Sequence, residues 1–287
     1  MNNLISGKYL IEKHIETGSF GEIYQVSHQE TGENFALKLE KFSSPQRLLQ
    51  KESRILRVLE GPSFIPRVYY SGKDSQNTYM VINLLGPSLE ETFRLNSNRL
   101  PIRLLIKTTV QLLTIFEYIH SCGYVHRDIK PENFLYNIEG IGQELLVIDF
   151  GFAKRFLNNL NEHVEFKEGK KMIGTARFVS VNTHLGKRQS RRDDLEALCY
   201  MLIYLGKGTL PWLHIRSAST YSQYEKILSI KQASNPNVLC EGLPDEYARL
   251  LTYVKSLSFT DAPNYQMLIS MFTPLLPLIV EERPIVV

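Results

Sequence analysis

Two short stretches hold residues that could do chemistry together. One is His126-Arg127-Asp128-Ile129-Lys130-Pro131-Glu132-Asn133, and the other is Asp149-Phe150-Gly151. Moving a phosphoryl group from a nucleotide to a hydroxyl asks little covalent chemistry of a protein. It asks for a carboxylate that orients and deprotonates the hydroxyl, a cation beside the moving group, and two oxygen donors for magnesium. Asp128 can be the first, Lys130 the second, and Asn133 with Asp149 the third. The competing reading is a charged surface loop and an unrelated Asp-Phe-Gly turn. A spaced motif followed by a second one weighs against it.

The elements that must position these groups begin with a strand-rich segment. Tyr9 to Ile15, Gly21 to Gln29 and Asn34 to Glu40 predict an antiparallel meander, with Thr31-Gly32 as a turn. Between the first two strands run Gly18, Ser19 and Gly21, small residues that let backbone N–H groups approach phosphate. A plain hairpin reads equally well there. Lys38 sits between Leu37 and Leu39 and points to the opposite face from both. It is either a solvated lysine or a cation for phosphates. The next helix, Pro45 to Glu60, carries a stripe of Leu48, Ile55, Leu56 and Leu59, and Glu52 falls on that stripe. A buried carboxylate needs a partner, and Lys38 is the natural one; otherwise Glu52 turns outward at the edge of the stripe.

Strands near Arg67 to Ser71 and Thr78 to Asn83 come next. Gly86-Pro87 then ends the strand region, and Ser88 is placed to cap a helix opening at Leu89, with Glu90 and Glu91 in its first turn. This is the expected lobe boundary, with a nucleotide cleft at the joint. The remainder reads as helices: Pro101 to His120, Ser190 to Leu205, Tyr221 to Ser234, Pro244 to Ser256 and Asn264 to Phe272.

Composition bounds the class. At 287 residues, 43% hydrophobic and 22% charged, the chain can bury a real core, and a net charge of +3 argues for no nucleic-acid partner. Met1-Asn2-Asn3-Leu4 lacks the basic and apolar regions of a signal peptide. The apolar stretch Leu268 to Val280, interrupted by Pro274 and Pro277, is too short to span a bilayer. Cys122, Cys199 and Cys240 form no close pair, which fits reduced thiols in a cytoplasmic or nuclear protein and no cysteine metal site.

With these residues in view, H-R-D-x-x-x-x-N followed by D-F-G is the protein-kinase signature, and the chain resembles a eukaryotic-type protein kinase over nearly its whole length. More narrowly it resembles the casein kinase I family, as a divergent member. That likeness rests on Leu84-Leu85-Gly86-Pro87-Ser88-Leu89-Glu90, Gly174-Thr175-Ala176-Arg177-Phe178-Val179-Ser180-Val181-Asn182-Thr183-His184 and Ser190-Arg191-Arg192-Asp193-Asp194-Leu195-Glu196. The resemblance implies an α+β, two-lobed single domain, with an N-lobe of about 1–86 and a C-lobe of about 87–287. It implies a serine/threonine kinase using ATP and Mg2+, acting as a monomer on acidic or pre-phosphorylated protein substrates. A catalytically weak scaffold that binds protein partners is the alternative.

Carried over by motif, Asp128 is the base and Lys130 stabilises the transferred group. Asn133 and Asp149 hold magnesium, Lys38 grips the phosphates and Glu52 holds Lys38. Gly18, Ser19 and Gly21 form the phosphate loop. Ile15, Ile23, Ala36 and Leu135 sandwich the adenine, with Ile148 beside them. Ile82 is the gatekeeper, and Asn83, Leu84 and Leu85 form the hinge. Asp194 braces the catalytic loop, and Arg177 with Arg216 takes the substrate's anion.

The chain departs from the pattern in places. Glu16 replaces a glycine of the phosphate loop, Thr220 stands where the anion pocket expects a lysine, and Cys199 replaces a helical glycine. Between Gly151 and Gly174 there is no Ser, Thr or Tyr, so no activation-loop phosphorylation is expected. From Lys167 to Asp194 the chain holds eight Lys or Arg against three acids, either a solvated basic face or a surface for acidic peptides.

Overall fold

The computed structural model describes residues 4–277 apart from 19, 20, 45, 139 and 218. The elements run β1 (Leu4–Ile5), β2 (Tyr9–Gly18), β3 (Gly21–His28), β4 (Asn34–Lys41), α1 (Leu49–Leu59), β5 (Val68–Lys73) and β6 (Asn77–Asn83). Then come α2 (Leu89–Leu95), α3 (Ile102–Ser121), β7 (Tyr124–Val125), β8 (Phe134–Tyr136), β9 (Leu145–Val147) and β10 (Lys154–Arg155). Six helices follow: α4 (Val181–His184), α5 (Arg191–Lys207), α6 (Thr220–Ala233), α7 (Pro236–Leu239), α8 (Asp245–Ser256) and α9 (Tyr265–Phe272). The chain divides into two compact units, Met1–Pro87 with Leu135–Phe152, and Ser88–Phe134 with Ala153–Val287.

In the first unit β1 to β6 form one antiparallel sheet in the order β1-β2-β3-β4-β6-β5. Alternation on β4 sorts the faces. Phe35 and Leu37 are buried in a cluster with Val26, Tyr79 and Val81, so Ala36, Lys38 and Glu40 leave the other face. Helix α1 buries Leu49, Glu52, Ile55, Leu56 and Leu59. It opens at Leu49, later than the expected Pro45, which itself lies outside the described residues. The segment Leu135–Phe152 groups with this unit rather than with the helices. Tyr136 explains the grouping: its carbonyl accepts the N–H of Gly86 at 2.9 Å, and its N–H reaches the carbonyl of Pro87 at 3.0 Å.

The second unit is helical. Ser88 caps α2 as anticipated, and with Glu91 it forms a capping box, Ser88 Oγ accepting the Glu91 N–H at 3.1 Å and Glu91 Oε2 accepting the Ser88 N–H at 2.8 Å. Helix α3 buries Leu104, Leu105, Leu112, Leu113, Phe116 and Ile119, and α5 is buried from Asp193 to Gly206. Each such apolar side chain contributes about 1.5–3 kcal/mol of burial. Helix α5 packs against α3 and α8, which makes it the centre of this unit. Among the described residues no helix is long and apolar enough to cross a membrane. All three cysteines are free, with Cys199 and Cys240 buried. Of the Leu268 to Val280 stretch, residues 278–280 lie outside the described residues.

Candidate active site

In the first unit the site is built from β4, α1 and the turn after β9. Lys38 Nζ donates to Glu52 Oε2 at 2.7 Å and lies 3.6 Å from Asp149 Oδ1. Burial pushes the Lys38 ammonium down, but Glu52 and Asp149 outweigh it and hold its pKa above the ordinary lysine value. The stripe argument for Glu52 therefore gives its place, buried and paired. Asp149 sits at φ +64°, a left-handed conformation that a non-glycine residue adopts only where its surroundings hold it. Lys51 Nζ donates to the Gly151 carbonyl at 2.9 Å, tying α1 to this segment.

Strand register aligns the expected adenine residues. Ala36 pairs with Ile82, and Lys38 pairs with both Ile23 and Met80, so Ile23 lies two residues along the sheet from Ala36 and Ile82, on the same face. All three are half-buried, as are Leu84, Leu85, Leu135 and Ile148, whereas Ile15 is exposed beside a shift of register. Asn83 commits its side-chain oxygen to the N–H of Arg67 at 2.7 Å. Gly18 pairs with Gly21 across the hairpin, and Glu16 is exposed opposite Ile23. Ser19 lies outside the described residues. Gly21 has a packing reason as well as the expected one: a Cβ there would meet the Leu39 carbonyl oxygen at 2.1 Å.

In the second unit Asp128 is buried and held on both oxygens. Thr175 donates to Oδ1 at 3.0 Å, and Lys130 Nζ meets Oδ2 at 3.0 Å. Asn133 Nδ2 donates to the Asp128 carbonyl at 2.8 Å, which leaves the amide oxygen of Asn133 as its ligand atom. Asp194 accepts the N–H of His126 at 2.7 Å and of Arg127 at 2.9 Å, so α5 fixes the catalytic loop by its backbone. Arg127 needs such fixing, since its φ is +72°. A Cβ on Gly174 would meet the Arg127 carbonyl oxygen at 2.5 Å, so glycine alone fits that passage.

Sequence reasoning missed the groups behind Asp194. His120 Nε2 donates to Asp194 at 3.0 Å, and His120 Nδ1 is paired with the Tyr265 hydroxyl. Burial lowers the His120 pKa against the opposing pull of Asp194. Burial raises that of Asp194, but hydrogen bonds from His120 and the loop backbone bring it below its ordinary value. A neutral imidazole on an ionised carboxylate satisfies both.

Sequence reasoning also missed Lys231. Its side chain is buried, its Nζ donating to the carbonyls of Ala176 at 3.0 Å and Val179 at 2.6 Å and lying over the rings of Tyr200 and Trp212. Trp212 Nε1 holds the intervening Arg177 carbonyl at 2.8 Å.

The basic stretch is gathered only in part. Arg127, Lys154, Lys170, Lys171, Lys187 and Arg188 line a cavity of about 200 Å³ that no Asp or Glu lines. Burial and the charges of Arg127, Arg188 and Lys170 push the Lys154 ammonium down. Arg177 does not line this cavity: its guanidinium lies 5.2 Å from the Tyr204 ring centroid and 5.5 Å from that of Phe178. Arg216 is exposed and lines a separate hollow with Lys226, and Thr220 is exposed at the start of α6.

Each unit offers an oxygen donor of the kind a hard divalent cation takes. Asn133 and Asp149 offer amide and carboxylate oxygens, the ligands magnesium takes alongside phosphates and water. Among the described residues no group of three or more His, Cys, Asp or Glu could hold a metal by itself.

An α+β fold of this kind, with a paired Lys38–Glu52, a braced Asp128 and oxygen donors at Asn133 and Asp149, also has a match in sequence. The family pattern described as protein kinase domain matches residues 9–262. The chain belongs to the protein kinase domain family and has its fold, which makes it a phosphotransferase acting on proteins.

Proposed function

We propose that this kinase transfers the γ-phosphoryl group of ATP, bound with Mg2+, to Ser or Thr of acidic or pre-phosphorylated proteins. In this reading it is a divergent casein kinase I-like enzyme. The observation that carries the transfer is the Asp128 cluster, a buried carboxylate with Thr175 on one oxygen and Lys130 on the other. Asp128 orients the acceptor hydroxyl and takes its proton, and Lys130 stands beside the moving group. Lys38, aligned by Glu52, binds nucleotide phosphates. Magnesium, when bound, would neutralise the charge on those phosphates, and Asn133 and Asp149 each offer it an oxygen donor.

Substrate choice rests on the casein kinase I-like motifs and on the basic cavity around Arg127 and Lys154. Cations with no acid among them attract phosphate or carboxylate. The test compares kcat/KM for matched peptides bearing phosphoserine, Asp or Ala three residues before the acceptor. It is run on the wild type, Arg177→Ala and the pair Lys170→Ala/Lys171→Ala. The expected order is phosphoserine, Asp, Ala, weakening with salt and flattened by at least one variant. Indifference of the wild type to that residue overturns the preference. The scaffold alternative draws only on Glu16 in the phosphate loop; nucleotide binding without turnover would favour it.

A further inference from the structure

Glu40 is a glutamate that this chemistry does not use, and it is only 3% exposed. It follows Lys38 by two residues on β4, so both side chains leave the same face of the strand. Its Oε1 accepts the backbone N–H of Leu48 at 2.8 Å and of Leu49 at 3.2 Å. These open helix α1, whose own cap residue, Leu48, makes no side-chain hydrogen bond. The first N–H groups of a helix have no partner within it, and a carboxylate there also meets the positive end of the helix dipole. One turn further along, Glu52 of the same helix receives Lys38 at 2.7 Å. Two residues of one strand thus hold one helix at two points. With its start fixed on β4, the helix cannot slide or rotate along the strand without breaking the Glu40 bonds.

We propose that Glu40 is a positioning residue for phosphoryl transfer: its carboxylate anchors the start of α1 and thereby keeps Glu52 against Lys38. The inference rests on the reading of Lys38 and Glu52 as the nucleotide-binding pair. Lys51, bonded to the Gly151 carbonyl at 2.9 Å, adds a third tie to the same helix. A helix tied three times within its own unit does not need a phosphorylated loop to bring Glu52 into place.

The experiment compares Glu40→Ala, Glu40→Gln, Glu52→Gln and the double variant Glu40→Ala/Glu52→Gln. Glu40→Ala is expected to lower kcat by at least about tenfold while peptide KM stays nearly unchanged. Glu40→Gln keeps an oxygen that accepts both N–H groups and should recover most of that loss. In the Glu52→Gln background Glu40→Ala should add little, because the route it acts through is already cut. Amide exchange at Leu48 and Leu49 should rise by about tenfold in Glu40→Ala and stay near the wild-type rate in Glu40→Gln. If the alanine variant does not fold, Glu40→Asp, one methylene too short, should show the same fall in kcat. A wild-type kcat in Glu40→Ala or Glu40→Asp overturns the proposal, and so do fully additive losses in the double variant. An inactive wild type would count against phosphoryl transfer itself. The exchange rates would then decide the anchor, with unchanged exchange overturning it.

Discussion

Thr175 donates its hydroxyl to Oδ1 of Asp128 at 3.0 Å, from the far end of the segment that follows Asp149. The carboxylate read as the base is therefore aimed before any substrate arrives, with Lys130 on its other oxygen. Asp128→Asn should lower turnover at least about a hundredfold, the range of a lost general base. Thr175→Val should cost about tenfold through loss of one hydrogen bond to a charged group, and Thr175→Ser should retain activity. Steady-state rates on one peptide check all three. An active Asp128→Asn would remove Asp128 from the mechanism.

Activity should not depend on phosphorylation of the activation segment, since residues 151–174 offer no hydroxyl. In many kinases an arginine next to the catalytic aspartate gathers a phosphorylated loop residue. Here Arg127 lines the basic cavity, and any anion it takes must come from elsewhere. Protein made in bacteria and treated with phosphatase should keep its full rate. A large loss on that treatment would contradict the idea.

Lys231 predicts a pH dependence of stability. Burial lowers its pKa from 10.5 to about 7, with Glu196 pulling weakly the other way. Below about pH 7 the group is charged in both states. Between 7 and 10.5 the unfolded chain binds the proton and the folded one does not, so stability rises with pH through that window. The slope is at most about 1.4 kcal/mol per pH unit. Unfolding of the wild type and Lys231→Met by denaturant, followed from about pH 6.5 to 9, should show the wild type gaining on the variant as pH rises. A constant difference would mean that the buried lysine does not titrate there.

Glu16 is exposed, so its carboxylate is screened by water. Glu16→Gly should lower the ATP KM by less than about tenfold, or 1.4 kcal/mol. If the change instead switched on an inactive protein, the scaffold reading would gain.

Local signals made much of this legible. The Ser88 cap, the alternation around Lys38 and the stripe that buries Glu52 are each written within a few residues. What escaped depends on contacts between distant positions. His120 and Tyr265 are 145 residues apart. Lys231 and Val179 are 52 apart, and a lysine on a helix of mixed polarity reads as solvated until Tyr200 and Trp212 are seen beside it. Glu40 is closer to its partners, yet a strand glutamate carries no sign that it will serve as the cap of the next helix. The basic run was visible as a count of charges, but which members share a cavity is set by where the chain turns. Arg177 was read as an anion ligand, and its guanidinium lies against two aromatic rings.

The loop from Ala176 to Val179 has a consequence for how a peptide can be read. The carbonyls of Ala176 and Val179 accept from Lys231, and that of Arg177 accepts from Trp212. An extended peptide recognised by strand addition needs acceptors waiting for its N–H groups. These three already have donors, so the loop makes a poor edge for another chain to extend. For a peptide docked along this loop, discrimination would then fall to side chains and their charges. Substrates should accordingly be defined by a few spaced residues and tolerate wide variation, including N-methylated backbone, elsewhere.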